Sequence, residues 1–307
     1  MPGRRRVFAT ALAALATLLG VAATATTQVT AVAQQANTPT RKLNGVAHYV
    51  ALGDSFAAGP FIPPQRTDPI GCARSTRNYP SLVAAGLGVA EFTDASCSRA
   101  STQHMTAAQP VPLGSNPPQF NALRPDTGLV TVSIGGNDMG FSDIVTTCGL
   151  ISATDPMGDP CRRQATAGGS DRYAERVTAT APLVAGVLRG IRERSPDATV
   201  VLVSYLRILP PTTGCWPIVP IARGDVPYLD GLHDQLNAVL AEQAGRHGAV
   251  FVDAYAASLG RDICQAPSVR WVEGFAPTRP AFPVHPNAQG MRAVADLTLS
   301  TLTSTAN

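Results

Sequence analysis

Short, continuously apolar runs alternate with longer amphipathic stretches along this chain, and no other feature of the sequence restricts its fold as strongly. The first run, His48-Tyr49-Val50-Ala51-Leu52, stops at Gly53. A second, from Gly128 to Ile134, is rich in β-branched residues and stops at Gly135-Gly136. Ala198 to Leu206 gives the strongest strand signal, Val250-Phe251-Val252-Asp253 is another, and residues 89–95 read as a fifth. A strand that is apolar on both faces must be covered on both, as in the parallel sheet of an α/β domain. Between the runs, apolar residues recur near a 3.6-residue period. Residues 171–194 align Val177, Ala181, Val184, Leu188 and Ile191, and residues 228–246 align Leu229, Leu232, Leu236 and Leu240. A last helix is expected from Pro286 through Leu302, because proline suits a first turn. The expected fold class is α/β, three layers deep (α/β/α), around a five-stranded, mainly parallel sheet. Residues 139–170 and 207–227, rich in Gly, Pro and Cys, read as surface insertions beside a cleft.

The start of the chain reads differently. Arg4, Arg5 and Arg6 precede an apolar stretch from Val7 to Ala25, with small-residue cleavage sites at Ala23-Thr24-Ala25 and Ala31-Val32-Ala33. That pattern is an export signal over residues 1–33. Residues 34–46 are polar and read as a flexible lead, which leaves one domain over 47–305. No other segment approaches the roughly 18 uninterrupted apolar residues of a membrane span. A secreted protein, free outside the cell or held in its envelope, is expected. The formal charge of +3 comes from the leader: residues 1–33 hold three of the 24 basic residues and no acid, and the rest balance the 21 Asp and Glu. A neutral mature chain has no electrostatic reason to bind nucleic acid.

Six cysteines (Cys72, Cys97, Cys148, Cys161, Cys215 and Cys264) behind an export signal imply disulfides. Fifteen pairings are possible, of which the sequential one is the simplest. A metal site is the weaker reading, since no CxxC occurs and no His stands at ligand spacing from a Cys.

In parallel sheets chemistry gathers at the carboxyl ends of the strands, which selects three places. Gly53-Asp54-Ser55-Phe56-Ala57-Ala58-Gly59 puts a hydroxyl on a tight turn after a buried strand, as a nucleophile requires, although Asp and Ser there equally suit a helix cap. No GxSxG elbow exists in the chain. Ser133-Ile134-Gly135-Gly136-Asn137-Asp138 can aim an Asn amide at a developing oxyanion, or be an ordinary Gly-Asn turn. Pro283-Val284-His285-Pro286-Asn287 holds one of five histidines between prolines at a loop-to-helix junction. His233 and His247 fall on or at the end of a helix, where solvent exposure or dipole capping explains them.

These three motifs, in this order over residues 47–305, resemble the SGNH hydrolases, also called GDSL lipases and esterases, and the six-cysteine pattern is similar to their secreted actinobacterial members. The resemblance implies a flavodoxin-like sheet and sequential bridges: Cys72–Cys97, Cys148–Cys161 and Cys215–Cys264. It implies that Ser55 attacks the acyl carbonyl and His285 takes its proton. The oxyanion hole would combine the Ser55 backbone N–H, the Asn137 amide and a backbone N–H from the loop Ser96-Cys97-Ser98-Arg99-Ala100. Arg99 stands there where the family usually has Gly, which is strained if φ is positive. Many members place Asp three residues before the histidine, where this chain has Phe282. A Ser–His dyad is therefore expected, with the Phe282 carbonyl orienting His285. Asp253 is a possible substitute acid, though a capping carboxylate suits its position better.

The expected function is a monomeric, secreted serine esterase or lipase acting on small-molecule or lipid esters without metal or other cofactor. Carbohydrate O-deacetylase and phospholipase activities are alternatives on the same fold, and a non-catalytic binding protein is the alternative of a different class.

Overall fold

The computed structural model describes residues 46–305. The expected export signal at 1–33, and the lead at 34–46 apart from Val46, lie outside the described residues. In chain order the elements are β1 (His48–Gly53), α1 (Ser55–Ala58), α2 (Tyr79–Leu87), β2 (Glu91–Asp94), β3 (Gln109–Val111), β4 (Gly114–Asn116), β5 (Leu129–Ser133), α3 (Phe141–Ser152), α4 (Pro160–Thr166), α5 (Arg172–Arg194), β6 (Thr199–Val203), α6 (Asp225–Arg246), β7 (Val250–Val252), α7 (Ala254–Ala257) and α8 (Ala288–Thr305).

Five strands form one sheet in the order β2-β1-β5-β6-β7, and all four pairings are parallel. The mainly apolar runs explain this: β1 and β5 are buried along their whole length, while the edge strands β2 and β7 are not. Crossovers between parallel strands are right-handed. The step from β1 to β2 runs one way along the sheet and the steps from β5 to β6 to β7 run the other. Helix α2, packed against α8, therefore covers one face, and the packed pair α5 and α6 covers the other. Tyr49, Leu52, Leu129, Ile134, Ile191 and Leu202 are sealed between these layers. Each such side chain contributes roughly 1.5–3 kcal/mol by leaving water.

The chain order reverses between β1 and β5, and clefts form at such switch points. There the backbones approach closely. Gly53 sits at φ 143°, and a Cβ on it would lie 2.6 Å from the Ser133 carbonyl oxygen. Asp54 N–H donates to that same oxygen at 3.0 Å. The glycine lets the nucleophile turn rest directly on β5.

Two sequence expectations need correction, and one hairpin had no counterpart among them. Helix α8 begins at Ala288, not at Pro286, because the Asn287 side chain accepts from the N–H groups of Gln289 and Gly290 and so serves as the cap. Residues 139–170 are not only loop: they contain α3 and α4. Composition concealed them, since α4 is started by a distant residue, the Asp225 carboxylate, which accepts from Cys161 N–H and Arg162 N–H at 2.9 Å each. The hairpin of β3 and β4 was not legible at all, being two three-residue strands. The bridges are Cys72–Cys97, Cys148–Cys161 and Cys215–Cys264, as the resemblance implied.

Candidate active site

The nucleophile turn follows directly from the sequence. Asp54 caps α1, its Oδ1 accepting from Phe56 N–H at 2.9 Å, so Ser55 becomes the first helical residue. N–H groups of a first turn have no intrahelical acceptor. Ser55 N–H indeed donates to no described residue. Ser55 Oγ lies 2.8 Å from His285 Nε2, across 230 positions of sequence. His285 Nδ1 lies 2.8 Å from the carbonyl oxygen of Pro283. That corrects the expectation for Phe282: its carbonyl accepts the His285 backbone N–H at 3.2 Å, closing a tight turn that swings the ring back over Pro283 instead. The Phe282 ring stands edge-on to the imidazole, 5.2 Å between centroids. Burial lowers the His285 pKa to about 4, although the Pro283 carbonyl bond acts in the opposite direction. Asp253 is exposed and caps α7 through Ala256 N–H.

The oxyanion-side groups come from two further turns. Asn137 Nδ2 donates to Ala100 O at 2.8 Å, which uses one of the amide's two hydrogens. Asp138 clamps the same two segments, accepting from Thr102 N–H and from the Thr102 hydroxyl. The loop before Ala100 is fastened by the Cys72–Cys97 bridge, by Cys97 N–H to Gly53 O and by Ser98 N–H to Cys72 O, each at 3.0 Å. Arg99 adopts φ 67°, the strained case, with its side chain exposed and its own N–H donating to no described residue. Arg99→Gly should therefore raise unfolding free energy by about 1 kcal/mol, the cost of a left-handed conformation for a residue with a Cβ. Chemical denaturation checks this, and an unchanged midpoint would show that the loop bears no strain there.

Tyr205 joins the two motifs, and nothing in the sequence pointed to it beyond its place at the end of the strongest strand signal. Its buried hydroxyl donates to Asp54 Oδ2 and accepts Gly136 N–H at 2.8 Å. Burial raises the Asp54 carboxyl to about pH 7, against the bonds from Tyr205 and Phe56. Tyr205→Phe keeps the ring but strands both partners. We expect a loss of about 1–3 kcal/mol in stability and a fall in kcat with KM nearly unchanged, since the groups that shift flank the reacting atoms. Equal effects on kcat and KM would contradict this.

The loop bearing His285 is anchored from below. Glu273 N–H donates to His285 O at 2.9 Å. The Glu273 carboxylate accepts from Arg270 Nη2 at 2.5 Å, Asn287 Nδ2 at 2.8 Å and Thr278 N–H at 2.9 Å. Burial alone would raise this carboxyl, but those three donors outweigh it and hold it below its usual range.

Two adjoining hollows open beside the serine. One is bounded by Ser55, Asn137, Tyr205 and His285. The other is lined almost wholly by apolar side chains, among them Met139, Ile144, Leu229 and Ile263. Phe141, Ile208 and His233 border both. His233 is thus buried in the wall of the cleft rather than exposed or capping a helix, because the face of α6 that carries it packs inward. Among the described residues, no group of His, Cys, Asp or Glu could hold a metal ion. Nor is any described helix long and apolar enough to cross a membrane.

An open five-stranded parallel sheet, with a serine turn at its switch point and no GxSxG elbow, defines a hydrolase of the SGNH architecture. The chain belongs to the GDSL-like lipase/acylhydrolase family, whose model matches residues 51–293. It is 38% identical over 307 residues to Lipase 2 of Streptomyces coelicolor, with 98% of each chain covered. Among solved structures it is similar to phospholipase A1 from Streptomyces albidoflavus (TM-score 0.71, 28% identity, 84% of this chain and 100% of that one). It is also similar to an extracellular lipase from Streptomyces rimosus (TM-score 0.69, 27% identity, 83% and 99%). The protein is a carboxylic ester hydrolase of the family that these relatives represent.

Proposed function

We propose that this chain is an exported lipolytic esterase that works through an acyl-enzyme on Ser55, with His285 as general base and then general acid. The observation that carries the reading is the 2.8 Å approach of His285 Nε2 to Ser55 Oγ. Attack by the hydroxyl on the ester carbonyl passes its proton to Nε2, and the imidazolium returns that proton to the leaving alcohol. Water then repeats the sequence on the acyl-enzyme. The Pro283 carbonyl, at 2.8 Å from Nδ1, would hold the tautomer in which Nε2 is the base. The backbone N–H groups of Ser55 and Arg99, with the second hydrogen of the Asn137 amide, are the donors available to the oxyanion.

The apolar hollow next to the serine favours acyl chains of some length over acetate. A phospholipid is the second reading, favoured by the likeness to the Streptomyces albidoflavus phospholipase A1 over 84% of this chain. Covalent labelling by a fluorophosphonate, lost in Ser55→Ala, tests the nucleophile. Rates on p-nitrophenyl esters from acetate to palmitate, set beside those on a diacyl phosphatidylcholine, separate the substrates. Acetate-only activity would turn the reading towards deacetylation. No labelling and no turnover would leave a binding protein.

A further inference from the structure

The apolar hollow has one polar feature with unused bonding capacity. Of its lining residues only Asp230 and His233 carry ionisable side chains. Asp230 is fully engaged: Oδ1 accepts from the Tyr255 hydroxyl at 2.8 Å and Oδ2 pairs with Arg207. His233 is 4% exposed, and its Nδ1 is sealed without a hydrogen-bond partner. The ring packs against Phe141, Tyr205 and Tyr255 at centroid distances of 5.9, 6.1 and 5.2 Å. Burial keeps it uncharged at neutral pH, so it offers one donor and one acceptor. Buried polar side chains are normally satisfied, and an exception needs an explanation. His233 stands where the apolar hollow meets the cleft holding Ser55 and His285, since it borders both.

We propose that His233 hydrogen-bonds a hydroxyl or keto oxygen borne part-way along the acyl chain, so that the enzyme prefers oxygenated acyl esters to plain saturated ones of equal length. The inference rests on the acyl-enzyme reading above and adds the class of acyl group. The Tyr205 ring contacts both Phe56, the neighbour of Ser55, and His233, at centroid distances of 5.0 and 6.1 Å, so the oxygen belongs beyond the first carbons of the chain rather than beside the carbonyl. A plain chain entering the hollow leaves the imidazole dry and unpaired. A chain with an oxygen in register satisfies it.

The test is a set of p-nitrophenyl dodecanoates, one unsubstituted and the others carrying a single hydroxyl moved along the chain, measured on the wild type, His233→Leu and His233→Gln. We expect one hydroxyl position to exceed the parent ester in kcat/KM by about tenfold or more. That preference should vanish in His233→Leu and survive in part in His233→Gln. Should either variant fold poorly, inhibition of the wild type by free hydroxydodecanoic acids against dodecanoic acid gives the same comparison without mutation. A wild type that turns over plain esters with no hydroxyl preference, or a preference that persists in His233→Leu, overturns this inference alone. A protein that hydrolyses no ester overturns the acyl-enzyme reading and this inference together.

Discussion

His285→Ala should lower kcat on a p-nitrophenyl ester by about 10⁴- to 10⁶-fold, with KM changed little. Without the imidazole, the Ser55 hydroxyl has no acceptor for its proton at the moment of attack, and the leaving alcohol has no donor. The fold should survive, because the loop is held through main-chain groups that alanine retains: Glu273 N–H on the residue-285 carbonyl and the residue-285 N–H on Phe282 O. Near-native thermal stability together with the loss of turnover is therefore the expected pair of results. A kcat within tenfold of the wild type would remove His285 from the reaction. The pH profile offers an independent check. Burial lowers the imidazole to about 4, and a base works only when unprotonated. The acid limb of kcat/KM, which reports the free enzyme, should fall near pH 4 rather than near the ordinary histidine value of 6.5. Stability follows the same sign. The unfolded chain takes up this proton below about pH 6.5 while the folded one resists until about pH 4, so stability is fully present above that range and is lost as pH falls through it.

Glu273→Ala should destabilise the protein by about 3–5 kcal/mol, the usual result of leaving one charge of a buried pair behind. Glu273 has no exposed surface and Arg270 only 6%. The substitution strands the Arg270 guanidinium and frees the Asn287 amide, which also caps α8. For a domain of this size that loss amounts to a drop of roughly 10 °C or more in Tm. Activity should fall further than stability explains, since Val284, His285 and Asn287 all sit on the loosened segment. Val284 is held at φ 60°, a strained value for a β-branched residue that only a firm surround maintains. Glu273→Gln keeps an acceptor for Asn287 and should cost less. It should also remove part of the acid sensitivity. A carboxyl held below its usual range in the fold contributes stability above the unfolded value and loses it as pH falls below that value. Differential scanning fluorimetry from pH 3 to 7 on both variants would show this. Equal Tm for Glu273→Ala and the wild type would refute the account.

Much of the design was legible along the chain because it is local or periodic. The runs that stop at Gly53 and Gly135 are mainly apolar with no polar alternation, which points to strands buried on both faces and hence to a parallel sheet. Parallel strands present their carboxyl ends together, so the turns holding Ser55 and Asn137 had to share one edge. What the sequence could not determine is which polar groups satisfy one another: the Pro283 rather than the Phe282 carbonyl behind His285, the Tyr205 hydroxyl between Asp54 and Gly136, Asp225 starting α4, and His233 turned into the cleft. Periodicity and turn preference follow from each residue and its near neighbours. Hydrogen bonds of this kind depend on differences of an ångström in how the elements pack, and only the assembled core sets those.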